Sequence, residues 1–149
     1  MSFSSDVKEE LRTKIDSARH CQIAEFAAMM AFGGQVCFKH EKNKDLKSAY
    51  ILFATENETV AETFKELAMR AFGVPESGVR RLGGEKKGGA VWLAIEDEQS
   101  VRHILMALKW ESGNEQDIIK RVFGHPLIIQ RECCKRAFIR GAFVAAGSI

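Results

Sequence analysis

One short stretch occurs twice in this chain, and that recurrence constrains the fold more than any other feature. Residues 24–36 (Ala24-Glu25-Phe26-Ala27-Ala28-Met29-Met30-Ala31-Phe32-Gly33-Gly34-Gln35-Val36) align without a gap on residues 137–149, which run from Ala137-Phe138-Ile139-Arg140-Gly141-Ala142 to Ala146-Gly147-Ser148-Ile149. Each copy is a run of small and apolar residues closed by Gly, a small or polar residue and a β-branched one. A segment that is apolar almost all round forms a helix buried on several sides, and Gly is a common helix terminator. Two such helices need something to be buried against, and the residues between the copies supply it.

That intervening pattern alternates in period. A first helix is expected over Ser4–Ser17, with Val7, Leu11 and Ile15 at four-residue spacing, and a second over Ala18–Phe32. Gln35–His40 and Ser48–Thr55 read as strands of a hairpin around Glu41-Lys42-Asn43-Lys44-Asp45. Asn57 or Glu58 then opens an amphipathic helix with Val60, Phe64, Leu67, Ala68 and Phe72 inward, closed by Gly73 and Pro75. A second hairpin pairs Gly78–Leu82 with Ala90–Ile95, and Asp97 or Ser100 caps a helix carrying Val101, Ile104, Leu105 and Leu108. Residues 110–114 break the pattern and 118–123 form a short helical piece. A long helix follows from about Pro126 or Leu127 to Ala146. Helix, ββ, helix, ββ, helix, helix is an α+β order: one antiparallel sheet from two hairpins, covered by helices. Phe26, Phe32, Phe53, Phe64, Phe72, Phe138 and Phe143 fall at core periodicity. Trp92 and Trp110 read as core or interface, and His103 as a surface or boundary residue.

At 149 residues, 46% hydrophobic and 28% charged, the chain fits one globular domain and is too apolar for a disordered one. No apolar run approaches the ~18–20 residues of a membrane span, and the start has neither the basic head nor the apolar centre of a signal peptide. A cytoplasmic protein with no membrane partner is expected. Cys21, Cys37, Cys133 and Cys134 lack the regular spacing of a disulfide framework. For zinc, His20-Cys21 and Cys37-x2-His40 gather donors in one region. However, no C-x2-C pair exists, and adjacent Cys133 and Cys134 should point to different faces of a helix. Buried apolar thiols, with no metal and no cofactor, are the expectation. Gly83-Gly84 and Gly88-Gly89 bracket a hairpin turn and lack the Gly-Lys-Ser/Thr ending of a phosphate loop.

The net charge of +2 conceals an asymmetry. Residues 118–149 hold six Lys and Arg against Glu132 alone, +5, which leaves −3 for the first 117. Such polarity marks a candidate nucleic-acid face. Arg80, Arg81, Lys86 and Lys87 lie on or beside one hairpin. Lys39, Lys42, Lys44 and Lys47 flank the other, although Lys-rich hairpin tips also serve simply to protect sheet edges. Arg136 and Arg140, one turn apart, either project to solvent or pair with Glu25 or other acids.

The repeat and the ββαββα unit behind it resemble the LAGLIDADG family, in which two such helices pack side by side at a pseudo-two-fold axis. The resemblance implies that Ala27 and Ala28 lie near Gly141 and Ala142, small residues that let two backbones approach. It also implies that the sheet forms a saddle over DNA. Members that cut DNA carry a metal-binding acid just before the closing Gly. Gly33 and Ala146 stand at those positions, so no catalytic residues are expected and the protein is read as no enzyme. Nuclease acids drawn from Glu25 or Glu132 are the remote alternative.

The opening Met1-Ser2-Phe3-Ser4-Ser5-Asp6-Val7-Lys8-Glu9-Glu10-Leu11 and the run Cys133-Cys134-Lys135-Arg136-Ala137-Phe138 through Ile149 are similar to the WhiA family of bacterial regulators, associated with sporulation and cell division. That resemblance covers the chain. It implies an N-terminal helix (1–17), a first LAGLIDADG-like unit (18–109), then a linker and the first helix of a second unit (110–149) that stops where its next strand would begin. It further implies a C-terminal helix-turn-helix lying outside this sequence. A non-catalytic DNA-binding module of a transcription regulator, cytoplasmic and nucleoid-associated, is the function implied. A protein-interaction module of the same regulator is the alternative.

Overall fold

The computed structural model describes residues 3–39, 49–84, 89–109 and 128–146. Among the described residues, five α-helices and four strands run in the order α1 (Phe3–Arg12), α2 (Arg19–Gly33), β1 (Gly34–Phe38), β2 (Ala49–Thr55), α3 (Glu58–Phe72), β3 (Val79–Gly83), β4 (Val91–Ile95), α4 (Glu98–Ala107) and α5 (Glu132–Ala146). The strands form one antiparallel sheet in the order β1-β2-β4-β3. The fold is α+β.

Local chemistry sets several of the boundaries. Asn57 Oδ1 accepts from the Thr59 and Val60 amides at 2.8 and 3.2 Å, and Asp97 Oδ2 accepts from the Ser100 amide at 3.0 Å. Both side chains satisfy amides that a helix start otherwise leaves bare. Gly73 ends α3 at φ 69°, the left-handed region that glycine enters without a steric penalty. By contrast, α2 begins at Ala18 with no side-chain cap. Its stability comes from burial: Cys21, Gln22 and the run from Ala24 to Met30 are all inside.

Strand pleating divides the sheet into two faces. Register places Val36, Ile51, Ile95 and Val79 in one row, with Phe53 and Leu93 in the next. This face meets the helices through a stack of rings: Phe53 lies 4.5 Å from Phe64 of α3, which lies 5.1 Å from Phe26 of α2. The opposite face carries Gln35, Leu52, Ala94 and Arg80 in one row and Ala54, Trp92 and Leu82 in another. Exposed Gln35, Arg80, Leu82 and Trp92 mark it as the open face.

Some boundaries differ from the sequence expectation. α1 stops at Arg12 instead of Ser17, and α5 starts at Glu132, with residues 128–131 non-helical. Phe32 is 45% exposed, because the buried run of α2 ends at Met30 and Phe32 belongs to the final turn beyond it. The turn expected over residues 41–45, the break at 110–114, the helical piece at 118–123 and the ending at 147–149 lie outside the described residues. No described helix is long and apolar enough to cross a membrane.

Candidate functional site

Pleating separates the two arginines that the sequence groups together. Arg80 lies on the open face, 63% exposed at its side chain, with Nη2 3.6 Å from Glu96 Oε1. Arg81, one residue on, belongs to the helix side. It clasps Glu58 at the start of α3, its Nη1 donating to Oε2 at 2.9 Å and its Nη2 to Oε1. That hydrogen bond holds the Glu58 carboxyl below its ordinary range. Lys39 is exposed one residue past β1. Lys42, Lys47, Lys86 and Lys87 lie outside the described residues.

Their connections nonetheless leave the sheet at defined points. The first departs where Phe38 pairs with Ala49, at one end of β2. The second departs where Gly83 pairs with Val91, and Val91 pairs in turn with Thr55 at the other end of β2. The two Lys-bearing connections thus spring from diagonally opposite corners, with the open face between them.

Behind the sheet, α2 and α5 lie against each other along a seam. A Cβ placed on Gly141 would lie 3.0 Å from the Glu25 carbonyl carbon and 3.1 Å from Ala28 Cβ, so the absent side chain is what lets the backbones meet. Ala27 and Ala28 are fully buried, Gly141 is buried and Ala142 half-buried. Ala28 and Gly141 are also equivalent positions of the repeat.

The arginines of α5 differ. Arg136 is exposed, whereas Arg140, for which the sequence leaves both a DNA-facing position and pairing with Glu25 open, turns inward. Its Nε donates to Glu25 Oε1 at 3.1 Å and its Nη2 to Asp16 Oδ2 at 2.7 Å. Glu25 is 1% exposed, and its Oε2 has no hydrogen-bond partner among the described residues. Burial outweighs the attraction of Arg140 and raises the Glu25 carboxyl from 4.5 to about 7. A guanidinium held by two acids is withdrawn from phosphate, so Arg140 is a residue of the seam.

The positions that the resemblance assigns to metal-binding acids offer no side-chain oxygen: Gly33 and Ala146. A Cβ on Gly33 would lie 2.8 Å from Phe53 Cε1 and 3.3 Å from the Ala54 carbonyl oxygen, so the place is filled. A hard divalent ion needing oxygen donors does not fit there.

A second group of chemically active side chains was not expected. His20, Cys21, Cys133 and Cys134 converge with their donor atoms all within 4.8 Å of one another. Cys133 and Cys134 do differ in burial, half-buried and buried, yet both thiols reach one cluster because His20 and Cys21 stand opposite them in the first turn of α2. Extending the repeat four residues upstream pairs His20 with Cys133 and Cys21 with Cys134, the signal by which sequence could have found them. Cys133 Sγ is 3.4 Å from His20 Nε2. Cys37 lies elsewhere, opposite Tyr50 in the β1–β2 pair.

A four-stranded antiparallel sheet with one open face, backed by helices that include a close small-residue pair, defines the architectural class. The crystal structure of full-length DUF199/WhiA from Thermatoga maritima shares this fold, with a TM-score of 0.58 over 97% of this chain and 39% of that one, at 18% identity. The whole chain is 43% identical to a probable cell division protein WhiA of Lachnospira eligens and 35% identical to that of Lachnoclostridium phytofermentans. The chain is a WhiA-family sequence, and it spans 45–46% of the length of these two relatives. No family model matches it.

Proposed function

We propose that this chain is a non-catalytic, DNA-contacting module of a WhiA-type transcription regulator, serving cell division or sporulation from the cytoplasm at the nucleoid. One observation carries the proposal: the sheet has an open face whose Lys-bearing connections leave from opposite corners. A surface bracketed in this way can meet phosphates on both sides of a duplex laid across it. Arg80 and Lys39 are the described residues best placed to contribute. Arg81 and Arg140 are withdrawn by their acids, and Arg136 lies on α5.

A second reading has its own support. Trp92 and Leu82 are cross-strand neighbours on the open face, 38% and 41% exposed, and aromatic anchors of this kind are characteristic of protein interfaces. In that reading the module docks a protein partner of the transcription machinery and makes no direct DNA contact.

Fluorescence anisotropy with a labelled duplex over a salt series separates the two. With roughly four phosphates neutralised, affinity should fall about 10²-fold between 50 and 200 mM salt. Arg80→Ala should reduce the log–log slope by about 0.9, and Arg81→Ala should leave it unchanged. No binding at low salt would sink direct contact and favour the protein-docking reading. Plasmid nicking with Mg²⁺ or Mn²⁺ is expected to be absent. Nicking that Glu25→Gln or Glu132→Gln abolishes would overturn the non-catalytic assignment.

A further inference from the structure

We propose that His20, Cys21, Cys133 and Cys134 form a four-ligand site for a thiophilic divalent cation, zinc, that ties the first turn of α2 to the first turn of α5. Three thiols and one imidazole are a closed structural zinc set. Ligand atoms around a tetrahedral zinc stand ~3.6–3.8 Å apart, given Zn–S near 2.3 Å and Zn–N near 2.05 Å. Here the Cys133 Sγ to His20 Nε2 separation is 3.4 Å, and no pair of donor atoms exceeds 4.8 Å. Binding therefore needs movements of about 1 Å at the side-chain tips, within reach of χ1 adjustment.

The surroundings suit such an ion. Cys21 and Cys134 are 2% and 3% exposed and back onto the core, whereas His20 is exposed and Cys133 half-buried, which leaves a way in. A cleft of about 300 Å³ lined by His20, Arg131 and Cys134 opens beside them. Three thiolates with Zn²⁺ leave a net charge of −1, and three protons are released as the ion binds. Arg131 Nη1, 3.5 Å from His20 Nε2, can balance that charge. Both ligand pairs lie in first helical turns, so an ion there would join the starts of the two helices. The donor set excludes Mg²⁺ and Ca²⁺, which take oxygen. The site is also distinct from the acid positions at the other ends of the helices: Gly33 is 13 residues from His20, about 20 Å along α2.

The test is titration of the reduced, chelator-treated chain with Co²⁺ and then Zn²⁺. One Co²⁺ per chain is expected, with the visible d–d bands of a tetrahedral site and near-ultraviolet thiolate charge transfer. One equivalent of Zn²⁺ should bleach both. Cys133→Ser should remove about one third of the charge-transfer intensity, and His20→Ala should weaken binding at least tenfold. Both residues are on the more open side of the cluster, so circular dichroism can confirm that these variants fold. Cys37→Ser should leave metal uptake unchanged. Failure of the folded chain to bind Co²⁺ at 100 µM would overturn the site. So would a spectrum unaffected by Cys133→Ser and His20→Ala, or one lost with Cys37→Ser.

Discussion

Arg140→Ala is expected to lower the unfolding free energy by about 3–5 kcal/mol at pH 8, the range for removing one partner of a buried ion pair. The cost arises chiefly at Glu25, which is 1% exposed and has one oxygen already without a partner among the described residues. Without the guanidinium the carboxylate is buried and uncompensated. Protonation can relieve it, so the loss should be smaller at pH 5 than at pH 8. In the unsubstituted chain the same group imposes a pH dependence. Its folded value of about 7 lies above the ordinary 4.5 because burial outweighs Arg140. Between those values the folded state holds a proton that the unfolded state has released, so stability declines as pH rises through the window and levels off above it. Its contribution is on the order of 3 kcal/mol. Urea midpoints at pH 5, 6, 7 and 8 measure both effects, and Glu25→Gln should flatten the profile. A loss below 1 kcal/mol in Arg140→Ala at every pH would show that the pair does not anchor the seam.

Gly141→Ala is expected to destabilise the chain by about 1–3 kcal/mol, the usual scale of overpacking in a close-packed interior. Two effects oppose. Alanine is favoured over glycine inside a helix by about 1 kcal/mol. Against this, the new methyl would press on the Glu25 backbone carbonyl and lie 3.1 Å from Ala28 Cβ. A carbonyl fixed within α2 cannot swing aside as a flexible side chain can, so steric conflict wins and the helices must part. Gly141→Leu should separate them altogether. Thermal denaturation reads the size, and amide exchange along α2 reads the place. A Gly141→Ala variant as stable as the parent would mean that the close approach is dispensable.

Much of this architecture is legible in the residues. Asn57, Gly73 and Asp97 mark helix ends by chemistry that acts within a few residues of themselves, and the short apolar run Ala49–Thr55 reads as a strand, whose alternating burial only the structure shows. What sequence misses depends on partners distant along the chain. Arg80 and Arg81 look equivalent until strand register sends one to each face. For Arg140 the sequence leaves solvent and pairing with Glu25 equally open, and only the fold, by bringing Asp16 and Glu25 from more than a hundred residues earlier, selects the pairing. The Cys and His cluster is hidden for the same reason: each half is an ordinary dipeptide, and only their juxtaposition has meaning.

The α2–α5 seam also sets a timetable for synthesis. His20 and Cys133, in contact across the seam, are separated by 113 residues. At ~5–20 residues per second, on the order of 6–20 s pass between the emergence of α2 from the ribosome and that of its partner. Throughout that interval the side of α2 that receives Gly141 lacks α5, while the sheet and α3 emerge in turn and can cover the other side. Until α5 emerges, that side of α2 is an exposed apolar surface of the nascent chain, and the docking of α5 closes the seam.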